Sequence, residues 1–231
     1  MRLKFGVITC FTLMLILSSF VADSHAEEVW NLISDPISYK SFASIVDAQG
    51  QLTTSVASST GESLISTAVG DFIGDSNNDL AIGYATGDAV YILEGNGSTF
   101  SNTSVITIQG ASGSKFGTSV ERVDNIDGDV AKSEVLVGAS SEGKVYLFRS
   151  NLFSSLDRPS TISSTLADLT FVYSGATDFG QNVIAVRSFL GAEGVDIIVS
   201  ASVTDGTVYV YSDINASVGL LTSPSAIIVG S

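Results

Sequence analysis

Phe116-Gly117-Thr118-Ser119-Val120, Glu134-Val135-Leu136-Val137-Gly138 and Gly143-Lys144-Val145-Tyr146-Leu147-Phe148 are three short β-branched runs set apart by turn-forming residues. The chain writes them again. The later copies are Phe179-Gly180-Gln181-Asn182-Val183, Asp196-Ile197-Ile198-Val199-Ser200 and Gly206-Thr207-Val208-Tyr209-Val210-Tyr211. An earlier copy reads Asp79-Leu80-Ala81-Ile82-Gly83 and Gly87-Asp88-Ala89-Val90-Tyr91-Ile92-Leu93, with Ser63-Leu64-Ile65-Ser66 standing where the Phe-Gly run should be. The valines before the tyrosines, Val90, Val145 and Val208, are 55 and 63 residues apart; the acids Asp79, Glu134 and Asp196 are 55 and 62 apart. A period that long, filled with strand and turn signals and no sustained helical periodicity, marks a repeat of small antiparallel sheets.

Working outward, each unit holds about four strands. In the middle unit they are expected over Gly117–Val123, Glu134–Ala139, Lys144–Phe148 and Leu169–Tyr173. The Ser- and Thr-rich stretch Ser150–Ala167 reads as a surface loop. Four-stranded units of this length suit an all-β, β-propeller-like array of three full blades and one partial blade, an incomplete propeller. A β-sandwich or a β-solenoid of the same strands is the alternative. The expected spans are 27–60 for the partial blade, then 61–110, 111–175 and 176–231 for the three full ones. Tyr91, Tyr146, Tyr209 and Tyr211, at matching places in the third strands, are expected to pack between blades, and Trp30 to do the same in the partial one.

Phe116-Gly117, an acidic turn, then Val137-Gly138-Ala139-Ser140 resembles the FG-GAP repeat of integrin α-subunit N-terminal propellers and related secreted proteins. Phe179-Gly180 with Val199-Ser200-Ala201-Ser202 repeats the pattern, and Ile82-Gly83-Tyr84-Ala85 gives part of it. The resemblance covers residues 61 to 211. It implies a binding or adhesion module with calcium loops of the form Asp-x-Asn/Asp-x-Asp-Gly-x-x-Asp between the first two strands of some blades. In the first unit Asp71, Asp75 and Asp79 fall at positions one, five and nine, with the Asn77 carbonyl at seven; Ile73 at position three has no side-chain oxygen. In the second, Asn125, Asp127 and Asp129 occupy positions one, three and five, and Glu134 comes one residue late. Hard cations take six to eight oxygens, and alternate residues of a tight turn can present them together. The other reading of these residues is an ordinary solvated Asx turn. The third unit has Arg187 where the first ligand belongs, so no metal is expected there.

Composition narrows the function. A basic start (Arg2, Lys4), an apolar run from Phe5 to Val21 and Ser24-His25-Ala26 before Glu27 read as a signal peptide over residues 1–26. Its removal takes Cys10, His25, Met1 and Met14, leaving 205 residues without thiol or imidazole. Serine–histidine triads, thiol nucleophiles and Cys/His zinc sites are then excluded. The whole chain carries a net charge of −14, which repels nucleic acid and anionic lipid. No later stretch is long enough to span a bilayer. The reading is a secreted or cell-surface, non-enzymatic module. It binds an extracellular protein or glycan and structural calcium, and can self-associate through open blade edges. A structural matrix or envelope protein is the alternative, and a carboxylate-based hydrolase a further one. Asn96-Gly97-Ser98, Asn102-Thr103-Ser104 and Asn215-Ala216-Ser217 fit the N-glycosylation pattern.

Overall fold

The computed structural model describes residues 66–230, apart from residues 125, 155–159, 175, 177, 191–193, 202–205 and 215–218. The expected signal segment, the expected partial blade over 27–60 with Trp30, Asn125 and the Asn215 sequon all lie outside the described residues.

The described chain is all-β. Its first sheet comprises β1 (Ser66–Gly70), β2 (Asp79–Tyr84), β3 (Ala89–Gly95) and β4 (Phe100–Gln109). The second comprises β5 (Phe116–Asp124), β6 (Ser133–Ala139), β7 (Lys144–Phe148) and β9 (Leu169–Val172). The third comprises β10 (Asn182–Arg187), β11 (Val195–Ala201), β12 (Thr207–Ile214) and β14 (Ala226–Val229). Every pairing between these consecutive strands is antiparallel, and no sheet closes on itself. The strands of the middle sheet lie within one residue of the spans expected from the sequence, because Val, Leu and Tyr run along strands that are buried on both faces.

Alternation also explains how the sheets stack. In β6, Val135 and Val137 face the first sheet with Tyr146 and Phe148, while Leu136 faces the third with Val145 and Leu147. Two cores result, one for each contact between sheets. Phe116 and Phe179 are 0% exposed and anchor one core each. Phe116 meets Tyr146 and Phe148 with ring centroids 5.6 and 6.1 Å apart, and Phe179 meets Tyr209 at 5.4 Å. The glycines beside them have a matching role. Gly117 and Gly180 sit at φ +91° and +92°, and their carbonyl oxygens press onto Gly83 and Gly138 of the preceding sheet. A Cβ at Gly83 or Gly138 would stand 2.2 or 2.1 Å from those oxygens, so both sides of the contact need glycine. Tyr146, Tyr209 and Tyr211 are buried as expected, whereas Tyr91 is only half-buried beside Tyr84.

The stretch 150–167 is not a surface loop. Phe153 and Ile162 in it are 0% and 1% exposed and join the first core. Its β8 (Thr161–Ser163) runs parallel to β4 and becomes the fifth strand of the first sheet, Ile162 opposite Ile108. β13 (Gly219–Leu221) does the same for β9. Each is donated by the connection between the third and fourth strands of the next sheet. Among the described residues β14 carries no such addition. Ser and Thr richness suggested a loop because a three-residue strand is too short to show alternation.

Candidate functional site: the acidic turns

The turns after β1 and β5 lie side by side, tied by the Ser133 N–H donating to the Asp71 carbonyl at 2.9 Å. In the first, the Asp71 carboxylate accepts N–H bonds from Gly74, Asp75 and Ser76 at 2.7, 3.0 and 2.9 Å. Asp75 accepts from the Asn77 amide at 2.8 Å. These bonds draw the turn tight around Asp71 and leave Asp75 at the surface. Ile73, the residue that cannot ligate, is buried in the first core with Phe72. Its side chain belongs to that core, which is why an apolar residue stands in the middle of an acidic turn.

Asp79 is fully buried at the start of β2, and both oxygens are taken. One accepts from the Ile73 N–H at 2.8 Å, the other from the Gly95 N–H at 2.9 Å. Burial, helped by Asp75 and Asp71, raises its pKa to about 6, against the opposing effect of those two amides. The third sheet repeats this arrangement at Asp196, which accepts from Leu190 at 2.6 Å and Asp213 at 2.9 Å. The acid at the head of the second strand is thus a staple, its two oxygens joining the preceding turn to the end of the third strand. Sequence reasoning took Asp79 for a ligand alone; its recurrence at Asp196, in a unit with no metal loop, was the available signal for a structural role.

Glu134 departs from this pattern. It occupies the same place, at the head of the β6 apolar run, and is 0% exposed. Neither of its carboxylate oxygens has a hydrogen-bond partner. Its pKa is pushed up to about 7, first by burial and then by Asp127 and more weakly by Asp124. The Ile126 and Glu134 amides lie near enough to oppose that rise, but not in hydrogen-bond geometry. An unpartnered buried carboxylate costs several kcal/mol unless it is protonated or meets a cation. Asp127 accepts from the Asp129 N–H at 3.0 Å, and Asp129 pairs with Lys132 at 3.4 Å. The second turn therefore sets the charge of Asp127 against Glu134 and holds Asp129 toward a lysine at its rim. Among the described residues no three acidic side chains form a ready-made cation cage.

Beside both turns is a cleft of about 500 Å³. Asp71, Asn78, Arg122, Lys132 and Arg187 are among its lining residues, so all three sheets contribute. Arg122 pairs with Asp124 at 2.6 Å, and Arg187, at the position of a first ligand, reaches back to the Asp124 carbonyl at 3.4 Å. At the opposite ends of the first strands, a smaller cavity of about 330 Å³ is lined by Ser66, Thr118, Ser119, Ser140, Gln181 and Asn182. Its hydroxyls are largely engaged within the protein, as in the 2.9 Å contact between Thr118 and Ser140.

No helix among the described residues is long and apolar enough to cross a membrane. No protein-family model matches the chain, and no curated protein matches it.

Proposed function

We propose that this chain is an exported binding module of the FG-GAP, integrin-α-like propeller kind, in which each sheet is one blade and calcium steadies the acidic turns. The turns and the cleft beside them would meet an extracellular protein or glycan. What supports the blade reading is the repeated contact: a Phe-Gly pair of one sheet against a glycine of the sheet before it, twice in the same geometry. One observation carries the calcium reading. Glu134 is buried, has no partner for either oxygen and feels the negative charge of Asp127. A divalent ion there would be held by Glu134, Asp127 and backbone oxygens of the turn, with Asn125 and Asp129 completing the set expected from the sequence. In the first turn, Asp71, Asp75 and Asp79 with the Asn77 carbonyl are the corresponding donors. An ion so placed would pin a turn, the structural use of calcium expected of a non-enzymatic binding module. That no strand among the described residues pairs with the outer edge of β14 favours a second reading, a structural protein that assembles through its sheets.

The test is thermal. A ligand bound only by the native state stabilises it by about 3 kcal/mol at a hundredfold excess over its dissociation constant. Calcium is expected to raise the melting temperature of the protein, and a chelator to lower it. Asp75→Ala should weaken the contribution of the first turn and Asp129→Ala that of the second. A melting curve that millimolar calcium leaves in place would sink the metal reading. Ligand classes are then read from protein and glycan arrays probed in calcium.

A further inference from the structure

Bases are scarce in this chain: 10 Lys and Arg stand against 24 Asp and Glu. Among the described residues the bases are Lys115, Arg122, Lys132, Lys144, Arg149 and Arg187. Half of these, Arg122, Lys132 and Arg187, line the cleft of about 500 Å³ beside the acidic turns. They reach it from three places: β5, the second turn and the end of β10. A strongly acidic protein has thus collected cations in one hollow.

Asp124 arranges two of them. Its carboxylate takes the Arg122 Nε at 2.6 Å and the hydroxyl of buried Ser133 at 3.0 Å, while its carbonyl accepts from the Arg187 Nη2 at 3.4 Å. Binding through Nε leaves both Nη groups of Arg122 for another acceptor. The other lining acid, Asp71, spends its carboxylate on three amides of its own turn. Lys132 crosses over Gly74, where a Cβ would meet its Cε at 2.8 Å, and its 3.4 Å pair with Asp129 is of the weak, part-exposed kind. Ser76 and Asn78 stand among the bases, and no aromatic ring lines the cleft. A protein partner anchors through aromatic or aliphatic side chains in dry pockets, which this lining does not offer. A sugar carrying hydroxyls and an anion meets donors and acceptors interleaved. The chain's own ends join the sheets elsewhere. Ser66 lines the smaller cavity at the opposite end of the sheets, and Val229 pairs with Thr207 at the end of the third sheet where Asn182, also of that cavity, begins β10.

We propose that this cleft binds an anionic oligosaccharide, its carboxylate or sulfate held by Arg122 and Arg187 with Lys132 as a third contact. The assignment rests on the reading of the chain as an exported binding module and gives its ligand a class. Both anions present paired oxygens to a guanidinium fork, so either source supplies the same chemistry. Non-specific attraction does not imitate such binding, because a net charge of −14 repels a polyanion from the rest of the surface. The contact uses side-chain cations and therefore persists in a chelator, unlike an anion bridged to the protein by calcium.

Calorimetric titration of the full mature chain gives the test. The probes are galacturonate oligomers and sulfated dextran oligomers, each beside its neutral counterpart, methyl-esterified galacturonate or plain dextran. Binding of an anionic probe and of neither neutral one is expected, in a chelator as well as in calcium, and the two anionic arms tell carboxylate from sulfate. Arg122→Gln and Arg187→Gln should each weaken it about tenfold, roughly the worth of one charge-assisted hydrogen bond. Arg187→Lys should not restore it, since an ammonium lacks the fork. Both arginines are exposed, so circular dichroism should stay unchanged. Lys115→Gln removes the same charge beside the smaller cavity and should leave binding intact. No binding of either anionic probe, equal binding of the neutral ones, binding lost in the chelator, or a loss matched by Lys115→Gln would each overturn the proposal. A protein or neutral glycan captured on the arrays with both arginines dispensable would also overturn it, while leaving the binding-module reading in place.

Discussion

Replacing Glu134 with glutamine should make the calcium-free protein more stable, and the size of the gain can be worked out. The ordinary value for the carboxyl is 4.5, and burial beside Asp127 raises it to about 7 in the native state. One pKa unit corresponds to about 1.4 kcal/mol, so the native state loses about 3 kcal/mol relative to the unfolded chain once the group must ionise. The sign follows from proton counts. Below pH 4.5 both states hold the proton and nothing is lost. Between 4.5 and about 7 the folded state holds it while the unfolded state releases it, so stability falls as pH rises. Above that window both states are ionised and the loss is complete. Glutamine, neutral at every pH and close in shape, removes this dependence. The assay is urea unfolding of wild type and Glu134→Gln in a chelator, at pH 5 and pH 8. The difference between the two proteins should widen in favour of the variant by up to about 3 kcal/mol at the higher pH. Asp79 also titrates upward of its usual range, but it is common to both proteins and cancels. With calcium in place of the chelator the order should reverse, since the ion needs the carboxylate. A difference that does not change with pH would show that Glu134 is not a buried, unpartnered acid, and the calcium reading would lose its main support.

Three further outcomes test the packing. Gly138→Ala places a methyl group 2.1 Å from the Gly180 oxygen; denaturant unfolding should show a loss of at least 1–3 kcal/mol, roughly the cost of overpacking. Phe116→Ala and Phe179→Ala each empty a fully buried ring site and should cost about 3–5 kcal/mol; a loss below about 1 kcal/mol would put the ring in solvent. Asp196→Ala strips the acceptors from Leu190 and Asp213, so a lowering of stability by roughly 1–3 kcal/mol is expected, with no change in calcium response.

The repeat was legible because its strands are buried on both faces and must be apolar along their length. Val135 to Val137 of the middle sheet say so directly. The Phe-Gly pairs were legible for a related reason, since a ring and a bare backbone side by side fit few other purposes. The fifth strands were not. Thr161-Ile162-Ser163 buries one side chain and otherwise adds backbone hydrogen bonds, which any residue can supply. The acidic turns were legible as a place and less so as chemistry. Asp79, Glu134 and Asp196 look interchangeable in the sequence. Only the turn geometry distinguishes two carboxylates satisfied by amides from one left without a partner.

The borrowed strands set an order in time. The first sheet owns four strands but waits for its last until the connection of the second has been made, because β8 lies beyond β7 in the chain. The second waits in the same way for β13. A chain emerging from its N-terminus therefore always trails one unfinished sheet behind the newest one. Non-local pairing of this kind is slow to form and leaves an apolar edge uncovered meanwhile. The same stitch makes each unit depend on its successor. Cutting the chain between β7 and β8 would not release an intact first sheet, but one with the Ile108 edge exposed.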